Sequence, residues 1–128
     1  MKLLLDSNAL IWSVNEPERL SVAAKQAIRD RENEIVVTLV SLWEITIKIG
    51  KGRLPQLGST IQYLLDEVRE QRFELLPLRA KHPLALGNLE HYHRDPFDRL
   101  IVAQGIAERL PVVTNDPSFS KYPVKVFW

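Results

Sequence analysis

Cysteine is absent from the 128 residues, which excludes disulfides, cysteine zinc sites and thiol catalysis. An excess of one charge is absent as well. Lys and Arg number 17 against 16 Asp and Glu, for a net charge of +1, so no basic arm stands ready to hold nucleic acid. No apolar run approaches the ~20 residues of a membrane span. The opening Met1–Leu5 stretch is cut by the charge of Asp6, against a signal peptide. Repeats and low-complexity tracts are missing, and the 5 Gly and 8 Pro are scattered, so no linker is marked. These absences lead to the expectation of one cytoplasmic domain, residues 1–128, without a membrane anchor.

What is present is an alternation of short apolar runs with helical patterns. Lys2–Leu5 reads as a buried strand ending in the cap chemistry of Asp6-Ser7-Asn8. Residues 9–14 give one or two helical turns. Ser21 opens a helix to about Arg31, and Ile35–Thr38 is a β-branched second strand. Residues 41–50 fit both a strand and a helix. Their length and the capping box Ser41-Leu42-Trp43-Glu44 favour a helix starting at Ser41 and stopped by Gly50–Gly52. Ser59-Thr60-Ile61-Gln62 opens a further helix to about Gln71. Phe73–Leu76 is a third strand, and residues 80–94 form a short helix and a loop. Asp95-Pro96-Phe97-Asp98 places Asp at the N-cap and Pro at the first position of a buried helix running to Arg109. Pro111–Thr114 is a fourth strand and Val124–Phe127 a fifth, at an edge. The pattern predicts an α/β fold: a three-layer α/β/α sandwich around a parallel sheet of four to five short strands.

The acids fall where such a fold binds ligands, beyond the carboxyl ends of its strands. Asp6 follows the first strand, Glu44 lies early in the helix after the second, and Asp116 follows the fourth. Asp95 and Asp98 open the long helix that precedes the fourth strand, which leaves their edge less fixed. Each acid also reads as a plain helix or turn cap. Convergence is what separates the two readings. Two carboxylates ~4 Å apart repel by roughly 4 kcal/mol at an effective dielectric of 20. Gathered acids therefore either hold protons or bind a cation. An all-oxygen set suits Mg²⁺ or Mn²⁺.

Four segments together resemble the PIN domain, and within it the VapC-type toxins of prokaryotic toxin–antitoxin pairs. They are Leu3-Leu4-Leu5-Asp6-Ser7-Asn8-Ala9-Leu10-Ile11-Trp12, Ser41-Leu42-Trp43-Glu44-Ile45-Thr46-Ile47-Lys48, His93-Arg94-Asp95-Pro96-Phe97-Asp98-Arg99-Leu100-Ile101-Val102-Ala103-Gln104, and Val113-Thr114-Asn115-Asp116. The resemblance implies a Mg²⁺- or Mn²⁺-dependent ribonuclease that hydrolyses RNA with a metal-activated water, leaving 5′-phosphate and 3′-hydroxyl ends. Carried across, its catalytic, metal-holding acids fall on Asp6, Glu44, Asp98 and Asp116, with Asp95 as an additional acid. Its supporting polar groups fall on Ser7, Thr114 and Asn115. It further implies a small antitoxin as partner and a homodimer. One departure is visible: Asp6-Ser7-Asn8 stands where this subgroup often has Asp-Thr-His. Ser7 keeps the hydroxyl, but no imidazole carries over to Asn8.

Lys48, Arg99, Lys51 and Arg53 are candidate phosphate contacts, and Trp43 and Tyr92 candidate stacking platforms. The plainer reading pairs Lys48 with Glu44, buries Trp43 in the core and leaves Lys51 and Arg53 solvated. His91 and His93 suggest a metal-free cleavage through the 2′-hydroxyl, or simply a polar surface loop. A non-catalytic metal- or RNA-binding domain and a Mg²⁺-dependent phosphoacceptor switch remain as rivals. The switch would call for paired acids after the first strand, where only Asp6 stands.

Overall fold

Strands covered on both faces have no solvent side to alternate with, and Leu3–Leu5 and Ile35–Val37 are accordingly apolar without a break. The computed structural model describes residues 1–54 and 60–128. It contains β1 (Lys2–Leu5), α1 (Ser7–Asn15), α2 (Val22–Arg29), β2 (Glu34–Thr38), α3 (Leu39–Gly50), α4 (Ile61–Glu70), β3 (Glu74–Leu76), α5 (Lys81–Leu86), α6 (Pro96–Glu108), β4 (Val112–Val113) and β5 (Val126–Phe127). The five strands form one sheet in the order β3-β2-β1-β4-β5, and every pairing is parallel. Helices cover both faces, as the alternation of elements predicts, with β5 at an edge.

Successive strand residues serve opposite cores. Leu3, Leu5, Ile35, Val37 and Val113 face a cluster with Leu10 and Ile11 of α1, Ala24 of α2, Leu42 and Ile45 of α3 and Leu64 of α4. Leu4, Val36, Leu76 and Val112 face the other, with Ile101 and Val102 of α6 and with Phe119 and Tyr122. Gly105 lets α6 lie close on the sheet. A Cβ there would come within 2.9 Å of methyl carbons of both Val112 and Val124.

Two helices start without any loop. Asp6 follows β1 directly and caps α1, accepting from the Ala9 N–H at 2.7 Å. Thr38, the last residue of β2, caps α3 and accepts from Val40 N–H at 3.1 Å. The capping box expected at Ser41 is therefore not formed. The helix is already under way, Ser41 is buried inside it, and Glu44 lies in its second turn rather than at its start. The box expected at Ser59–Gln62 begins outside the described residues; Thr60 is the N-cap of α4 and makes no side-chain cap bond. Helix α2 opens at Ser21 as expected and closes two residues early, at Arg29.

Candidate active site

The sheet reverses direction of growth between β1 and β4, and this is where a parallel α/β sheet opens a crevice. Their carboxyl ends are joined by the Asp6 N–H donating to Val113 O at 3.1 Å. That register sets Asp6 beside Thr114, whose hydroxyl donates to the Asp6 carboxylate. The Thr114 oxygen in turn accepts from the Asp116 N–H at 3.0 Å. One buried hydroxyl thus ties the first acid to the backbone of the fourth. Asp116 itself caps the 3-10 turn Pro117–Lys121, with Oδ1 accepting from Ser118 N–H at 2.9 Å.

Helices α1 and α3 supply the next part. Ser7 Oγ lies 2.7 Å from Glu44 Oε1 and 3.0 Å from Ser41 Oγ, all buried. The other Glu44 oxygen receives the Lys48 ammonium at 2.7 Å, one turn along α3. The plainer reading of Lys48 is thus the one realised in this structure: the cation offered as an RNA contact rests on Glu44.

Asp98 arrives from α6. This helix runs back against the strand it feeds, so its N-terminus lies over the carboxyl ends of the sheet, and the doubt about its edge is resolved. Asp95 caps it, with Oδ1 2.8 Å from Phe97 N and 3.4 Å from Asp98 N. Asp98, Asp116 and His93 each offer an atom within 4.8 Å of one another. Among the described residues no donor reaches the Asp98 carboxylate. Burial, followed by the charges of Asp95, Glu44, Asp6 and Asp116, raises its pKa from 3.8 to about 7. Asp6 is raised to about 6, again by burial first. The bonds from Thr114 and Ala9 oppose that rise, and the charges of Asp116 and Glu44 add to it. Asp6, Glu44, Asp98 and Asp116 therefore share one pocket. Asp95 stands at its rim. Ser7 bonds Glu44 and Thr114 bonds Asp6, while Asn115 is exposed and no bond from it into the pocket is found among the described residues.

The donor set fits a divalent cation. The acids are hard oxygen ligands, burial and then mutual repulsion raise the pKa of Asp6 and Asp98, and Asp98 has an open acceptor. Beside the pocket lies a groove of about 360 Å³ lined by Glu44, Lys48, Lys51, Arg53, Arg94 and Asp95 among others. A larger cleft, lined by residues 28–31, 33–35 and 70–74, opens at the opposite edge of the sheet, away from the acidic pocket.

Two residues depart from the plainer of their two sequence readings. Trp43 is no core residue: it is 59% exposed and packs edge-on against Phe97 at 4.9 Å. His93 is no plain surface residue either. Its side chain is 7% exposed, with Nε2 at 3.1 Å from Asp116 Oδ2, whereas His91 is exposed. His-x-His in a loop carries no pattern that tells the two apart.

The PIN domain family model matches residues 3–125. Ribonuclease VapC22 of Mycobacterium tuberculosis (strain ATCC 25618 / H37Rv) is 36% identical over 118 residues, covering 89% of this chain and 86% of that protein. VapBC2 from Rickettsia felis, solved bound to a DNA fragment from their promoter, superposes with a TM-score of 0.71 at 21% identity, over 98% of this chain and 96% of that one. DNA-bound VapBC from Salmonella typhimurium gives 0.71 at 18% identity with the same coverage. At such identities the two structures speak for the fold alone. The family model spans nearly the whole chain, and that span takes in the whole of the acidic cluster just described: this chain belongs to the PIN domain family.

Proposed function

We propose that the chain is a metal-dependent endoribonuclease, the toxin of a toxin–antitoxin pair, working in the cytoplasm. The observation that carries this reading is the meeting of Asp6, Glu44, Asp98 and Asp116 at the carboxyl edge of the sheet. The identity shared with Ribonuclease VapC22 and the fold shared with VapBC complexes support it. The antitoxin is the expected protein partner, with a second copy of the chain as a homodimer.

In this reading the four carboxylates hold Mg²⁺ or Mn²⁺. When bound, such an ion lowers the pKa of a water and offsets phosphate charge. The chain's own groups do the rest. Ser7 and Lys48 fix the two oxygens of Glu44, and Thr114 fixes Asp6. Asp98, raised to about 7 in the metal-free chain, would exchange its proton for the cation on binding. Lys51, Arg53 and Arg94 in the groove meet the phosphates on either side of the cleaved bond, and Lys48 joins them when it leaves Glu44. Arg99, now donating to Glu90 O at 2.6 Å, is a further phosphate contact. Trp43, exposed beside Phe97, offers a face on which a base stacks. Asp95 contributes charge to the rim.

The test is incubation with total cellular RNA, with Mg²⁺, Mn²⁺ or EDTA, followed by mapping of the product ends. Cleavage that needs the ion, leaves 5′-phosphates and vanishes in Asp98→Asn is expected. EDTA-resistant cleavage leaving cyclic phosphates would overturn the reading in favour of the histidines.

A further inference from the structure

His93 comes from the irregular segment between α5 and α6, yet its imidazole is held on every side. Tyr122 Oη lies 3.2 Å from Tyr92 N, 3.0 Å from His93 N and 3.1 Å from His93 Nδ1. A phenol oxygen has two lone pairs and one hydrogen. The two backbone N–H groups occupy both lone pairs, so the hydrogen is left for Nδ1, which must accept it. The ring proton then sits on Nε2, which faces Asp116 Oδ2 at 3.1 Å. The other tautomer fails at both ends. It would aim three donors at one phenol oxygen and set a nitrogen lone pair against a carboxylate. Phe119, edge-on at 5.0 Å, and the parallel ring of Tyr122 at 5.4 Å fix the imidazole plane.

By distance alone His93 would pass for a third ligand beside Asp98 and Asp116. The tautomer excludes that role, because the nitrogen turned to the cluster carries a proton and has no lone pair to give. We propose that His93 is a positioning residue. Its Nε2–H holds Asp116 Oδ2, and the Tyr122 hydroxyl locks the tautomer that can donate. Asp116 is then clamped from both oxygens, by His93 and by Ser118 N–H, with lone pairs left on each for the cation. This rests on the ribonuclease reading above.

Two measurements test it. The first is the ¹⁵N spectrum of the histidine rings in the metal-free wild-type protein, which needs no variant. His93 is assigned by its loss in His93→Gln. The expected pattern is a bare Nδ1 and a protonated Nε2 that keeps its proton when Mg²⁺ is added. A proton on Nδ1, or loss of the Nε2 proton with Mg²⁺, overturns the proposal. The second is Mn²⁺ affinity by electron paramagnetic resonance. Outer-shell bonds of this kind are worth ~10-fold or more in metal affinity, so His93→Ala should bind Mn²⁺ about tenfold more weakly. His93→Gln, which keeps an N–H donor, should recover part of that loss, which a merely structural role would not give. Wild-type binding with an unchanged His93→Ala overturns this proposal alone. A wild-type chain that takes up no Mn²⁺ overturns the ribonuclease reading and this one with it.

Discussion

Asp6 caps α1 and belongs to the acidic pocket with a single carboxylate, and Asp116 does the same for its 3-10 turn. The rival readings of these acids, lone cap or gathered cluster, do not exclude each other: each of them caps a turn and joins the cluster. That is why single residues could not decide between the two in the sequence. Glu44 differs: it caps nothing, and only the start of α3 at Thr38 turns it towards Ser7. The shared pocket has a pH signature. Asp6 and Asp98, raised from 3.8 to about 6 and about 7, bind protons in the folded chain that the unfolded chain releases near pH 4. The stability this lends the metal-free protein is full below the unfolded value and is lost as pH rises through the folded ones. For buried Asp6 alone the loss is roughly 3 kcal/mol. The melting temperature of metal-free protein should therefore lose this contribution between about pH 4 and about pH 7. Mn²⁺ should restore more of it at the higher pH, and Asp98→Asn should flatten the fall. A metal-free melting temperature that climbs over this range in calorimetry would contradict the assignment.

At the scale of elements, three helices end in the same way. The Arg53, Phe73 and Leu110 N–H groups reach back to Lys48, Val68 and Gly105 carbonyls, and Gly52, Arg72 and Arg109 N–H groups to Ile49, Arg69 and Ile106. Each closure needs a left-handed residue. Gly52 supplies it freely, but Arg72 and Arg109 adopt φ of 61° and 57°. The glycine made the end of α3 legible in the sequence. The arginines carry no such mark, and only the strand following each showed that the helix had ended. Arg109→Gly should stabilise the chain by about 0.5–1 kcal/mol, read from urea unfolding. Gly105→Ala should do the reverse. Its methyl meets Val112 and Val124, and overpacking of this kind costs about 1–3 kcal/mol. Val124→Ala in the same chain should return part of that loss. Thr38 was hidden for a different reason. A strand that passes into a helix with no loop leaves no turn signal, so Ser41, the next good cap, took its place in the sequence reading.

For the whole molecule, the layers were legible because unbroken apolar strands demand cover on both faces. The strand order was not, since nothing in a linear string says that β4 pairs with β1 on the side away from β2. That pairing brings Thr114 and Asp116 to Asp6. The near-zero net charge has its own consequence. With few cations to spare, the ribonuclease reading makes the groove cations Lys51, Arg53 and Arg94 the main expected RNA contacts. In a catalytically silent Asp98→Asn background, replacing Lys51 and Arg53 by Ser should weaken binding to single-stranded RNA. It should also reduce the slope of log affinity on log salt by ~0.7 for each phosphate no longer neutralised, as fluorescence anisotropy would measure.

The three tryptophans divide unequally between interior and rim. Trp12 and Trp128 pack edge to face with centroids 6.0 Å apart, Trp12 in the core and Trp128 partly buried against it, while Trp43 stands out beside the groove. Their emission therefore splits into a sheltered pair and one solvent-facing indole. Iodide should quench mainly the latter, and an oligonucleotide laid in the groove should shield it, so the chain carries an optical gauge of its own occupancy without any label.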